Sequence, residues 1–172
     1  MKMRLAEPKL FYAMSGLAAL VVLLDQFSKF AMFNWLLKDT PEIPVAPFFS
    51  LVERYNTGIS FSLFATDHDV GPWMFAALAA AIALGLLVWL SQTTDRLPAT
   101  GLALVIGGAI GNVIDRVRIG AVLDFLLFYW HDWAWPAFNL ADTAITVAVT
   151  PPISDGVFGE RRRRSAAWTG AD

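Results

Sequence analysis

Residues 73 to 90 read WMFAALAAAIALGLLVWL, a run without a single charged side chain. The hydrocarbon core of a bilayer is about 30 Å thick, and a helix needs about 20 mostly apolar residues to cross it. This run has the length and composition for that, and the indoles of Trp73 and Trp89 stand at its two ends, where ring and N–H both suit the headgroup level. It predicts a transmembrane helix, and the rest of the chain is read outward from it. Three more apolar blocks lie at about 10–35, 98–114 and 136–158. The first carries Asp25 and Lys29 near its far end. The third block holds Gly101, Gly107, Gly108 and Gly111, which weaken a soluble helix but allow close helix packing in lipid. The fourth is the most polar, yet Asn139, Asp142, Thr143, Thr146 and Thr150 recur at helical spacing, so one face is expected to turn inward and the other toward lipid.

Composition agrees. Of 172 residues, 56% are hydrophobic and 16% charged, against roughly 25% charged in an ordinary soluble domain. Disorder is excluded by the same figures. The net charge of −2 gives no sign of a nucleic-acid partner. With no cysteine, a disulfide framework, an iron–sulfur cluster, a cysteine-rich zinc site and a thiol nucleophile are all excluded. Two histidines, His68 and His131, leave little for a histidine metal site or a serine–histidine triad. No metal-ligand motif of known spacing appears. The whole chain, 1–172, reads as one integral membrane domain, without repeat, low-complexity segment or linker.

Asp25, Gln26 and Lys29 stand where a cleaved leader would need small residues, so the first block is expected to be a retained helix. Four spans put both termini on one side. That side carries Lys2, Arg4, Lys9, Arg96 and Arg161 to Arg164, while the other carries Lys38, Arg54, Arg116 and Arg118. The larger basic group marks the cytoplasmic side, and the run Arg161 to Arg164 reads as a stop after a span. Trp35 and Trp130 fall at expected ends, and Trp133 and Trp135 just before the fourth helix. The outer loops are then about 36–72 and 116–135. Phe48 to Asn56 alternates, and Gly120 to Phe128 is also strand-like, so a small sheet on the outer membrane surface is expected.

An ionisable side chain in lipid costs several kcal/mol unless paired or wet, so each one marks a candidate site. Here they gather at one depth. Asp25 and Lys29 end the first helix, Asn112, Asp115 and Arg116 end the third, Asn139 and Asp142 begin the fourth, and Asp124 lies just before it. Gly108, Asn112 and Arg116 are four apart and share a face that Asp115 can join. Asp25 and Lys29 form an i,i+4 pair whose simplest role is an ion pair. A pairing of Asp115 with Arg116 would tie helix to loop. Ser28 and Lys29 are neighbours that point apart on a helix, so a serine–lysine dyad is not favoured. A carboxylate pair remains. Two aspartates that share a proton act as base and acid together, because like charges close together do not both ionise. Asp124 and Asp142 are the best pair by position, although spacing alone does not bring them together. A proton-coupled transporter using Asp25, Asp124 and Asp142, or a structural subunit whose charges join helices, would also carry such residues. Transporters, however, place charges near the midplane, often across repeats.

At these residues the chain resembles the bacterial lipoprotein signal peptidases, the signal peptidase II family. The matching segments are Asp25-Gln26-Phe27-Ser28-Lys29, Asn56-Thr57-Gly58-Ile59-Ser60-Phe61-Ser62, and Gly107 to Arg116. Val122-Leu123-Asp124-Phe125 and Phe138-Asn139-Leu140-Ala141-Asp142 complete the set. The resemblance implies a mainly α membrane protein of four transmembrane helices with a small antiparallel β-cradle on the outer, periplasmic side. It implies an aspartic endopeptidase of the bacterial inner membrane, with its active site at the outer leaflet. Such an enzyme removes the signal peptide of diacylglyceryl-modified prolipoproteins by cutting before the lipidated cysteine. The implied catalytic residues are Asp124 and Asp142. Asn56, Gly108, Asn112 and Arg116 are implied to line or support the substrate site. Asn139 lies beside the dyad, and Asp25 and Asp115 have supporting places. No cofactor or metal is implied, the cyclic peptide globomycin is the expected inhibitor, membrane lipid is the surroundings, and a monomer is expected. Two departures stand out. Ile59 follows Asn-x-Gly where the family has small residues, and Thr150-Pro151-Pro152 interrupts an apolar run, so a kinked fourth span is expected.

Overall fold

A computed structural model of the chain describes residues 5–58 and 70–154. The expected loop residues Ile59 and Phe61 to Phe64 and the basic run Arg161 to Arg164 lie outside the described residues. The elements are α1 (Pro8–Ala31) continued by a π-helical turn (Met32–Leu36), β1 (Glu42–Ala46), β2 (Phe49–Asn56), α2 (Val70–Gln92), α3 (Arg96–Ile119), β3 (Val122–Trp130), β4 (Trp133–Ala134) and α4 (Leu140–Ser154). Pro8 opens α1 at its first turn, where its missing N–H costs nothing. Gly120 closes α3 in the left-handed conformation, its N–H bonded to the Arg116 carbonyl.

Among the described residues three helices are long and apolar enough to cross a membrane: Pro8–Leu36, Gly71–Gln92 and Arg96–Ile119. Their outward faces carry large apolar side chains such as Leu23, Phe27, Leu78, Leu84 and Ile110, all exposed. In water such a belt would be unfavourable in proportion to its area, whereas in lipid it is solvated. Trp35, Trp73, Trp89, Trp130, Trp133 and Trp135 are exposed as well.

The fourth apolar block differs from its expected bounds. Its apolar helix, Leu140–Thr150, is a shorter one, and α4 starts four residues later than 136. Pro136 has no N–H to give, and the Phe138 backbone is already taken by the sheet. The Phe138 N–H donates to the Leu126 carbonyl at 3.0 Å, and the Phe138 carbonyl accepts from Phe125 and Leu126 at 3.1 and 2.9 Å. The helix does not stop at Pro151-Pro152 but runs to Ser154, and the end of the expected span lies outside the described residues. The polar stripe turns inward only in its first turns. Asn139 is buried, whereas Thr146 and Thr150 are exposed and donate to the carbonyls of Asp142 and Thr146 on their own helix. The third block also runs further than 114. Arg116 and Arg118 lie in the last turn of α3 rather than in a loop, where cations suit the helix dipole.

α3 is the central helix, packed against α1, α2 and α4. Two glycines decide how close it comes. A Cβ on Gly107 would stand 2.7 Å from the Ala18 carbonyl and from the Val21 side chain of α1. One on Gly108 would stand 2.5 Å from the Ala141 carbonyl of α4. Backbone cannot swing aside as a side chain does, so both contacts require glycine, in keeping with small-residue packing in lipid. Ala18, Leu90, Ala99, Leu102, Ala103 and Ile106 form the buried core at the other end of the bundle. There the Ala6 N–H meets the Ser91 carbonyl at 3.0 Å, so the start of α1 and the α2–α3 turn share one end.

The sheet is antiparallel throughout, in the order β1-β2-β3-β4. β2 and β3 are its middle, with Phe49 opposite Phe128, Leu51 opposite Leu126 and Arg54 opposite Asp124. The segment with Pro44 forms β1 rather than a plain loop. It is an edge strand with an irregular register next to Pro44, which is where a sheet tolerates proline. β3 leaves the end of α3 after Gly120 and Ala121, so Asp124 is held beside the last turns of that helix and the first turn of α4.

Candidate active site

The start of α4 is a reciprocal cap. Asn139 Oδ1 accepts the Asp142 N–H at 3.0 Å, and Asp142 Oδ2 accepts the Asn139 N–H at 3.2 Å. Such a box satisfies two otherwise orphaned backbone donors and locks both side chains. The Asn139 Nδ2 is left free to turn outward, and it donates to Asp124 Oδ1 at 2.7 Å. One wholly buried asparagine therefore joins both aspartates.

The remaining oxygens of the pair take neutral donors. Asn56 Nδ2 donates to Asp124 Oδ2 at 3.2 Å, while its Oδ1 accepts the Gly58 N–H and so fixes the amide. Asn112 Nδ2 donates to Asp142 Oδ1 at 2.8 Å. Neither carboxylate forms a salt bridge among the described residues. Asp124 is 2% exposed. Burial, followed by the charge of Asp142, raises its pKa from 3.8 to about 6, against the amides of Asn56 and Asn139 and the more distant charge of Lys29. A prediction follows with a definite sign. In Asp142→Asn the Asp124 midpoint, read by carboxyl NMR, falls below about 6 because a like charge is gone, yet it stays above 3.8 because burial is the larger cause. A midpoint that did not move would show that the two groups do not sense each other.

Behind the pair lies a buried ionic cluster. Lys29 Nζ is 2.7 Å from Asp25 Oδ2 and 2.7 Å from Asp115 Oδ2. Asp25 Oδ1 accepts the Ala141 N–H of α4 at 3.0 Å. Asp115 Oδ2 accepts the Leu123 N–H of β3 at 3.3 Å. Asp25 thus ties α1 to α4, and Asp115 ties α3 to β3. The tie from Asp115 to the loop runs through Leu123 rather than through Arg116. Asp115 also lies off the face expected for it. Gly108, Asn112 and Arg116 face α4 and the aspartate pair, whereas Gly107, Gly111 and Asp115 face α1, where a Cβ on Gly111 would stand 2.6 Å from Asp25 Oδ2. Arg116 donates weakly to the Asn112 carbonyl at 3.4 Å, and its buried Nε has no partner among the described residues.

All nine residues singled out in the sequence therefore gather at this end of the bundle. Two further residues of the Asp25 to Lys29 segment join them with contacts that the sequence did not show. Gln26 Nε2 contacts Asp25, Asp115 and the Gly111 carbonyl at 3.2, 2.9 and 3.2 Å. Lys29 reaches Asp115 and Asn112 in addition to its helical neighbour. The helical spacing of Lys29 from Asp25 signalled the first of its contacts, and nothing in the spacing signalled the reach of Gln26 and Lys29 to α3. Among the described residues no group of three or more His, Asp or Glu side chains is placed to hold a metal ion.

This architecture is shared with known membrane enzymes. Two solved structures, each described as a bacterial membrane enzyme, superpose with TM-scores of 0.68 and 0.69 at 23% and 24% identity. The first covers 94% of both chains, and the second 89% of this chain and 95% of the other. The sequence narrows the class to a family. The signal peptidase (SPase) II model matches residues 17–158, and the chain belongs to that family. It is 43% identical over 149 residues to a lipoprotein signal peptidase of Aeromonas hydrophila, covering 86% of this chain and 89% of that one. It is 39% identical over 151 residues to one from Teredinibacter turnerae, covering 85% and 88%. A lipoprotein signal peptidase of Serratia marcescens is 35% identical over 165 residues, 94% of each chain.

Proposed function

We propose that Asp124 and Asp142 are the catalytic dyad with which this signal peptidase removes signal peptides from prolipoproteins, cutting before the diacylglyceryl-modified cysteine. The observation that carries this reading is the shared asparagine. Asn139 holds two carboxyl groups from different elements, and neither has a cation in contact among the described residues. One of the pair keeps its proton up to about pH 6 because burial and its neighbour's charge oppose ionisation. The ionised partner takes a proton from water as the water oxygen attacks the scissile carbonyl. The protonated partner gives its proton to the carbonyl oxygen. Collapse of the tetrahedral gem-diol breaks the C–N bond: the carboxyl group that took the water proton passes it to the leaving amine, and one diol hydroxyl returns its proton to the other carboxylate as the carbonyl re-forms, which restores the pair.

The other residues surround that reaction. A helical signal peptide hides its peptide bond, so it unwinds at the cut and frees backbone groups that lipid does not satisfy. Arg116 Nε, which has no partner among the described residues, and the amides of Asn56 and Asn112 are the donors at hand. The chain acts as one domain of four spans, with α4 the short fourth, in the bacterial inner membrane. Both termini are cytoplasmic, and the sheet and dyad lie at the outer leaflet, where the lipid on the substrate cysteine holds the cut site. It works as a monomer, and globomycin occupies the same site. Basic residues at the end shared by α1 and the α2–α3 turn support that orientation.

The test is purified protein in detergent with a diacylglyceryl-modified prolipopeptide. A product beginning at the lipidated cysteine is expected, with the unmodified peptide left intact. Cleavage elsewhere, or none, would contradict the reading. In the same assay Asn139→Ala is expected to lower kcat by about 100-fold, since small misplacements of reacting groups cost that much. An unchanged rate would remove Asn139 from the account.

A further inference from the structure

We propose that Lys29 is a positioning residue for the peptidase reaction: its ammonium sets the orientation of the Asn112 amide, and through that amide the place of the Asp142 carboxylate. The inference rests on the dyad reading above. An ammonium has three N–H donors, and here each has a partner. Lys29 Nζ meets Asp25 Oδ2 at 2.7 Å, Asp115 Oδ2 at 2.7 Å and Asn112 Oδ1 at 3.1 Å. The first two contacts suffice for an ion pair. The third is the informative one, because an amide has two unlike ends. With Lys29 and Asn139 Nδ2 both donating to Asn112 Oδ1, at 3.1 and 3.2 Å, the opposite end must be the NH2 group. That group donates to Asp142 Oδ1 at 2.8 Å.

Removing the cation leaves Asn139 Nδ2 as the remaining donor to Asn112 Oδ1 among the described residues and sets a competing pull on the amide. Asp25 and Asp115 are left buried without their partner, and a buried acceptor in that state attracts any donor within reach. Gln26 Nε2 already donates to both, and Asn112 is the other amide in contact with the ammonium; turning its NH2 toward the vacated place withdraws the hydrogen bond from Asp142 and faces an oxygen toward it. Lys29 is 2% exposed and touches neither Asp124 nor Asp142, so it acts through Asn112 and not on substrate. Its charge also reaches the dyad, since it is among the groups that hold Asp124 down against burial.

The experiment compares Lys29→Met with the neutral triple variant Asp25→Asn, Lys29→Met, Asp115→Asn. The triple variant leaves no unpaired charge and keeps an oxygen for the Ala141 and Leu123 N–H groups. Each is measured alone and combined with Asn112→Ala, for kcat, KM and thermal stability in detergent. Asp142→Asn is run beside them. The expected result is a kcat lower by about 10- to 100-fold with KM within about twofold. In the Asn112→Ala background the same changes are expected to lower kcat by less than about threefold, because the path is already cut. A folded variant with the parent kcat, or a loss that multiplies fully with Asn112→Ala, would overturn the proposal. Failure of both Lys29 variants to fold would overturn it too, in favour of a purely structural lysine. Parent-like cleavage by Asp142→Asn would instead overturn the dyad reading, whatever Lys29 does.

Discussion

Asp124→Asn and Asp142→Asn are each expected to lower kcat by about a thousandfold or more while the fold is retained, since general acid–base groups contribute up to about 10⁴-fold and act as a unit. Asparagine fills the space of aspartate but neither takes a proton from water nor gives one to a carbonyl. Its effect on stability is small because two changes oppose each other. Asp124 accepts from Asn139 and Asn56, and Asp142 from Asn112 and the Asn139 N–H, so each substitution sets an NH2 group against one donor. That loses a hydrogen bond, at about 1 kcal/mol. Against this, one of two like charges in a buried site disappears, which is favourable. Melting in detergent is therefore expected close to the parent. A large fall in melting temperature would assign the aspartate to the fold instead.

Gly108→Val is expected to have the largest effect on stability. Its Cβ would stand 2.5 Å from the Ala141 carbonyl, with Ile145 Cγ1 at 2.8 Å. Ile145 can rotate, but the carbonyl belongs to the first turn of α4 and moves only with that helix. The strain of overpacking is about 1–3 kcal/mol, or more where backbone must yield. The shift also carries the site with it. Ala141 is bonded to Asp25 and precedes Asp142, so pushing α4 away from α3 stretches the Asn112 to Asp142 bond. Lower melting temperature and loss of cleavage are expected together. Gly85→Val serves as the control, because nothing stands within 4 Å of its added Cβ. Equal melting temperatures for the two variants would contradict the close approach of α3 and α4.

What was legible in the sequence depended on range. α2 is written in one uncharged run. The middle of the sheet is written in the alternation of Phe48 to Asn56 and in the strand-like run Gly120 to Phe128. The late start of α4 was not legible, because a distant strand residue, Leu126, captures the Phe138 backbone before the helix begins. The last turn of α3 was hidden for another reason. Arg116 and Arg118 end an apolar run but not a helix. The aspartates themselves were conspicuous, since a charge is costly at the edge of lipid. Their connections were not. Lys29 reads as a partner for Asp25 at helical spacing, yet its contacts with Asn112 and Asp115 span more than eighty residues of sequence. Only the packing of α1 on α3 through Gly107 and Gly111 creates them.

The measurement that bears most directly on the shared role of the two aspartates is the double variant Asp124→Asn, Asp142→Asn, compared with each single variant at enzyme in excess over lipidated prolipopeptide. One proton-sharing pair predicts that the double variant loses no more than about tenfold beyond the worse single one, because a broken unit has little left to lose. Losses that multiply, or a single variant that cuts at the parent rate, would contradict it.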